Sequence, residues 1–260
     1  MLGKLIEKVI SEWLQFCLIS NDFIHPCQLE GLKQRSTLDI GIALTHFIQS
    51  GWTRNNTTST LAFDITQSFS FLNHQLLLLI LKKAGCHSKV VQFFSNYQVG
   101  RKTQYSWNNF SSQFFNVDIG VGQSSVFSPI LSAFYILPVF HILEKCLKFL
   151  KIPVSILSFV DDGLFIVWNK SLTVSNSILF CSYNIVFSIL GKFGLILGYS
   201  KIEVFYFSRA QGVFNPLLLT YQTLVARFWS PKTLGNIWVS SSIGNCYSTN
   251  ISTFTPTKRF

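Results

Sequence analysis

Apolar residues recur at helical spacing from the start of the chain. Leu2, Leu5, Ile6, Val9, Ile10, Trp13, Leu14 and Cys17 fall on one side and Lys4, Lys8 and Glu12 on the other, which predicts an amphipathic helix. Beyond Pro26 a Gly-Leu-Lys-Gln-Arg-Ser-Thr turn leads into a second helical pattern over 37–49, carried by Leu38, Ile42, Leu44 and Phe47, and then a polar loop at 55–59. The run TLAFDI at 60–65 reads as a short buried strand delivering Asp64 at its end. Residues 73–84 read as a helix that closes at Gly85. Loose alternation over 97–117 about Asn108-Asn109 predicts a β-hairpin. A Gly/Ser loop at 120–129 then opens a long apolar helix to about residue 149. Two apolar runs, 154–159 and 163–168, flank Asp161-Asp162, after which 171–193 is helical and 201–208 a strand. Strands and helices alternating around a hairpin define an α+β class. From 239 to 257 Ser, Thr and Asn dominate and periodicity vanishes, as in a disordered tail.

A length of 260 residues with 48% hydrophobic content allows one substantial domain, or a domain and part of another. Only 12% of residues are charged, but Lys and Arg outnumber Asp and Glu by 21 to 11, so the surface suits a polyanion or an anionic membrane. The uncharged stretches 119–143 and 171–191 are long enough to span a bilayer. Gln123, Ser124, Ser125, Ser128, Pro129, Pro138 and His141 interrupt the first, and Ser, Asn and Tyr the second; that polar content is costly in hydrocarbon, so no membrane partner is expected. Glu7, Lys8 and Glu12 break the apolar run a secretory signal needs, which points to the cytoplasm or nucleus. Six cysteines without a CxxC pair or a nearby His at zinc spacing read as reduced thiols.

Two adjacent carboxylates between apolar runs repel one another unless a cation neutralises them. Mg²⁺ prefers oxygen ligands and leaves positions open for phosphates, as a two-metal phosphoryl transfer requires. For an isolated Asp-Asp-Gly, a plain hairpin turn is the competing reading.

The pair is not isolated. TLAFDITQSFSFLN at 60–73, GVGQSSVFSPIL at 120–131 and SFVDDGLF at 158–165 resemble, in order and spacing, three successive motifs of LINE-type (non-LTR) retrotransposon reverse transcriptases. LGKLIEKV at 2–9 and GLKQRST at 31–37 look like the preceding fingers motifs, and FGLILGYSKIEVFYFS at 193–208 like the following palm motif. The resemblance implies a right-hand polymerase palm, an antiparallel sheet backed by helices, at 59–216, with partial fingers at 1–58 and a fingers hairpin within the palm. It implies RNA-directed addition of deoxynucleotides to a DNA primer on an RNA template, with two Mg²⁺ ions, or Mn²⁺, as cofactor. By resemblance, Asp64, Asp161 and Asp162 are the acid cluster, Ile65 adds backbone contacts to the metal, and Lys201 is the general acid toward pyrophosphate. Arg35 grips the triphosphate, Phe69 crowds a ribose 2′-hydroxyl, and the loop Gln123, Ser124, Ser125 to Pro129 supports the templating base and incoming nucleotide. The family normally has Gly after that Gln, so Ser124 is a departure that costs free energy wherever the backbone needs positive φ. Lys82, Lys83, Arg101 and Lys102 are candidate template-backbone contacts. Core packing for Phe69 and solvation for the isolated cations are the plainer alternatives. At the level of function, a non-catalytic nucleic-acid-binding remnant and a small membrane protein are the alternatives.

The family's primer-grip segment does not follow. Codons permitted for residues 234–244, read two nucleotides later, spell GKYLGFIFDR, which matches it. A frameshift near Pro216 is therefore expected, with 217–260 an out-of-frame tail, and the start is expected to be truncated.

Overall fold

The computed structural model describes residues 2–21, 23–28, 36–122, 125–159 and 161–209. Arg35, Gln123, Ser124 and the expected tail at 217–260 lie outside the described residues.

The chain divides into two compact units. Among the described residues, one holds those within 25–66 and 139–209, the other those within 2–24 and 67–138. The first is built on an antiparallel sheet whose middle strand is β1 (Thr57–Thr66). This strand exceeds the expected 60–65 run because Thr57, Thr58 and Ser59 also pair, opposite Asn169, Trp168 and Val167 of β7 (Asp162–Asn169); β-branched threonines suit a pleated ladder. On the far side of β7 lies β6 (Ser155–Phe159). The other edge of β1 is shared: β9 (Glu203–Phe207) pairs with Thr58 to Ala62, and β8 (Ile196–Leu197) with Ile65 and Thr66. Leu61, Phe63 and Ile65 on one face of β1 are buried, and so are Thr58, Thr60 and Asp64 on the other, as a central strand covered on both faces demands. Helix α2 (Thr37–Thr53) starts where the Asp39 carboxylate accepts a 2.6 Å hydrogen bond from the Ser36 backbone N–H. Helix α6 (Leu172–Lys192) lays Leu179, Ile185, Val186 and Ile189 inward as one stripe and meets β1 and β7.

In the other unit, α1 (Leu2–Ser20) is a helix as its periodicity predicts, but the face that packs differs. Ser11, Leu14 and Leu18 are buried, while Leu2, Leu5, Ile6 and Val9 are exposed. Apolar residues surround much of this helix, so spacing specifies its conformation without specifying which side packs. Helix α3 (His74–Lys83) follows the sequence reading closely: the Asn73 side chain accepts from Leu76 N–H as N-cap, and Gly85 takes φ +75° just past the end. Helix α4 (Ser88–Gln98) was not expected, although Val90, Phe94 and Tyr97 carry helical spacing. The hairpin consists of β2 (Lys102–Thr103) against β5 (Phe115–Asn116) and β3 (Ser106–Trp107) against β4 (Phe110–Ser111), with Asn108 at φ +51° in its turn.

Helix α5 (Ser128–Phe149) runs through both units. It and α6 are long and apolar enough to cross a membrane by length and composition. Most of the apolar stretch of α5 is interior, and core helices have the same composition. Cys17, Cys27, Cys86, Cys146 and Cys181 are free thiols, as expected, and Cys246 lies outside the described residues. Burial pushes the Cys27 and Cys86 thiols up to about 12, which keeps them protonated and unreactive.

Candidate active site

The β6–β7 hairpin closes on the pair Phe159–Asp162, so Asp161 stands in the turn directly before β7. On the other edge of β7, Asp162 lies opposite Asp64 of β1. Directly opposed residues share a face of the sheet. The ladder therefore brings together, from distant points of the chain, the acids that the sequence motifs separate. The Ile65 N–H donates a 2.8 Å bond to the Asp161 carbonyl and ties the turn to the central strand. Gly163, after the acid pair, sits opposite Phe63, whose ring occupies the space a Cβ would need. The glycine is thus a packing requirement of this site.

The fourth element arrives from β8. The Gly198 N–H donates to the Asp64 carbonyl at 2.8 Å, and the short 3₁₀ turn Tyr199–Lys201 follows. That turn carries Lys201 Nζ to 2.8 Å from Asp64 Oδ1. Asp64 is buried, and a buried carboxylate is tolerated only when paired. Asp64, Asp161, Asp162, Lys201, Ser200 and Glu203 all line one cavity of about 810 Å³.

Electrostatics in this cavity pull in two directions. Asp162 is exposed as a residue, yet partial desolvation of its carboxyl, then repulsion from Asp161 and Asp64, raises its pKa above the ordinary value of 3.8, with Lys201 opposing. Lys201 is raised in turn, chiefly by its hydrogen bond to Asp64, then by the charges of Asp64, Asp161 and Asp162. The result is a carboxylate cluster with excess negative charge that one lysine partly offsets. All-oxygen donors with unbalanced charge are what a hard divalent cation requires, so the donor chemistry fits Mg²⁺. The present spacing is looser than a metal site. Among the described residues, no three His, Cys, Asp or Glu side chains stand close enough to hold an ion.

The remaining expected residues that the structure describes belong to the other unit. Phe69 is half-buried, and its carbonyl accepts from Val121 N–H at 2.8 Å. Gly120, at φ +79°, opens the Gly/Ser stretch that precedes the expected template-supporting residues; its carbonyl takes His74 Nε2 at 2.7 Å and Arg101 at 3.3 Å. Ser125 donates to Glu7 Oε2 at 3.1 Å and Pro129 is exposed in the first turn of α5. Lys82 and Lys83 occupy the last turn of α3, where a cation also complements the helix dipole. Arg101 lies 5.5 Å from the Tyr97 ring, and Lys102 is exposed. Gly198, Ser200 and Glu203 were not singled out by the sequence motifs. A glycine closing a strand hints at close backbone approach, and that was the available signal for Gly198.

An antiparallel sheet backed by helices, with acids at the junction of its two central strands, is a polymerase-palm-like α+β fold. Residues 1–237 match the family described as reverse transcriptase (RNA-dependent DNA polymerase), and the chain belongs to that family. The fold is similar to solved telomerase structures from Candida tropicalis. Against apo telomerase truncated from its C-terminal domain, the TM-score is 0.58 at 15% identity, covering 82% of this chain and 42% of that one. Against telomerase in complex with the TWJ fragment of telomeric RNA, the TM-score is 0.58 at 15% identity, covering 86% and 37%. Apo telomerase gives 0.58 at 15%, covering 84% and 40%. The chain thus spans about two fifths of the length of these structures. No curated protein matches the chain.

Proposed function

We propose that this reverse transcriptase domain derives from a LINE-type retrotransposon and extends a DNA primer with deoxynucleotides on an RNA template, in the cytoplasm or nucleus. The observation that carries this reading is the opposition of Asp64 and Asp162 across β1 and β7, with Asp161 in the adjoining turn and Lys201 on Asp64. Asp64, Asp161 and Asp162, with the Ile65 backbone, would hold Mg²⁺ or Mn²⁺. A bound divalent cation supplies the positive charge that acidifies a primer 3′-hydroxyl and stabilises departing pyrophosphate. The hydroxyl oxygen, giving up its proton to solvent water, would attack the α-phosphorus; the bond to pyrophosphate breaks, and Lys201 would donate its own proton to that leaving group, parting from Asp64 to do so. Arg35 binds the triphosphate and Phe69 excludes the 2′-hydroxyl. Gln123, Ser124, Ser125 and Pro129 support the templating pair, and Lys82, Lys83, Arg101 and Lys102 contact template phosphates. Fingers at 1–58, palm at 59–216 and a frame lost near Pro216 complete the reading, although the family match runs on to residue 237.

One observation favours a second reading, a nucleic-acid-binding remnant without catalysis. The carboxylates line one cavity without standing close enough to hold an ion, and Lys201 engages Asp64. Primer extension on poly(rA)/oligo(dT) separates the two. Mg²⁺-dependent incorporation that Asp161→Ala abolishes supports the first, and binding without incorporation supports the second. Genomic sequence around codon 216 tests the frameshift, which fails if the alternative frame contains stops.

A further inference from the structure

The hairpin at 102–116 has exposed residues at nearly every position. Large apolar rings normally avoid such a place, yet Trp107 is 79% exposed, Tyr105 68%, Phe110 67% and Phe114 66%. Trp107 and Phe110 are direct cross-strand partners at the tip, so the two rings project from one face of the ribbon. Nearer the base, Tyr105 and Phe115 lie 5.9 Å apart, centroid to centroid. The ribbon rests on two short ladders and an αL residue at Asn108, too little to be stable alone. Arg101 pins its base through the Gly120 carbonyl and the Tyr97 ring.

Charge identifies the occupant. From residue 73 to 117 there is no Asp or Glu, while Lys82, Lys83, Lys89, Arg101 and Lys102 are all cationic. Exposed aromatics in an exclusively basic stretch combine the two components of single-stranded nucleic-acid binding, stacking platforms and a phosphate-attracting field. A duplex offers no free base faces to such rings. We infer that Trp107 and Phe110 form a stacking platform for single-stranded RNA, with Lys102, at the base of the same ribbon, taking a backbone phosphate. The identity of the strand as RNA rests on the reading of the chain as an RNA-copying enzyme; the stacking itself does not.

The test uses the full chain, a labelled single-stranded RNA 15-mer and the same sequence as a duplex, with affinity measured by fluorescence anisotropy over a salt series. The double variant Trp107→Ala/Phe110→Ala is expected to weaken single-strand binding by about tenfold or more and to leave duplex binding unchanged. Trp107→Phe retains a ring and is expected to retain most of the affinity. Lys102→Ala is expected to lower the salt slope by about one. Equal affinity of the double variant and the wild type for the single strand would overturn the inference, as would equal losses on single strand and duplex. So would a self-associated wild type that the double variant renders monomeric in sedimentation, since the rings would then be a protein interface. The ring substitutions repeated in an Asp161→Ala background distinguish this inference from the proposed catalysis: if Trp107→Ala/Phe110→Ala still weakens single-strand binding there, while the wild type gives no primer extension, the catalytic reading alone is sunk.

Discussion

Asp64 and Asp162 stand opposite one another across β1 and β7, like charges in the one position of a ladder where opposite charges stabilise. Asp162→Asn is expected to stabilise the metal-free chain, by at most about 1 kcal/mol after solvent screening. The pH dependence has a definite sign. Because the folded Asp162 carboxyl holds its proton above the ordinary value of 3.8, the folded state binds more protons than the unfolded one between that value and the raised one. Stability from this group therefore falls as pH rises through that window, and the penalty persists above it. Urea denaturation of wild type and Asp162→Asn across acidic to neutral pH should show curves that converge at low pH and separate upward. Parallel curves would contradict the assignment.

Lys201 holds Asp64 at 2.8 Å, and its own pKa is raised by that contact. A lysine raised in this way keeps its pairing fully below the unfolded value of 10.5 and loses it only as pH climbs through the higher folded value. Lys201→Met is expected to slow nucleotide incorporation by about 10²-fold or more, since a general acid is lost. Single-turnover extension as a function of pH checks this: the variant should lose the basic limb assigned to Lys201. An unchanged profile would reduce the lysine to a counter-ion of Asp64.

Gly163→Ala tests why glycine follows the acid pair. Its methyl would strike the Phe63 ring, so the variant is expected to lose about 1–3 kcal/mol. Phe63→Leu in the same background should restore part of the loss. Denaturant midpoints of the single and double variants measure the coupling, and additive effects would mean that the ring is not the obstacle.

Gly120 and Gly100 both adopt positive φ, at +79° and +66°, but only Gly120 is crowded, with the Ser70 carbonyl oxygen 2.6 Å from where a Cβ would stand. Gly120→Ala should therefore destabilise by more than the roughly 1 kcal/mol expected of Gly100→Ala. Equal losses in thermal unfolding would show that backbone conformation alone governs both.

The sequence reading reached furthest where local chemistry is self-sufficient. Asn73 and Gly85 bracket α3 through capping, and the two apolar runs around Asp161-Asp162 become β6 and β7. It fell short where the outcome depends on tertiary neighbours. Nothing in α1 distinguishes the packed face of Leu14 and Leu18 from the exposed face of Leu5 and Val9. Lys201 was expected at the site by resemblance, but its direct bond to Asp64 is a product of the β1–β8 pairing, which periodicity cannot reveal. Gly198 contacts Asp64 for the same reason.

The most direct test of the central claim, that Asp64, Asp161 and Asp162 act as one divalent-cation site, is Mn²⁺ binding measured by electron paramagnetic resonance with primer–template and deoxynucleotide present. The account predicts two tightly bound ions per wild-type chain and loss of tight binding in both Asp64→Ala and Asp161→Ala. Identical Mn²⁺ binding in wild type and both variants would contradict it.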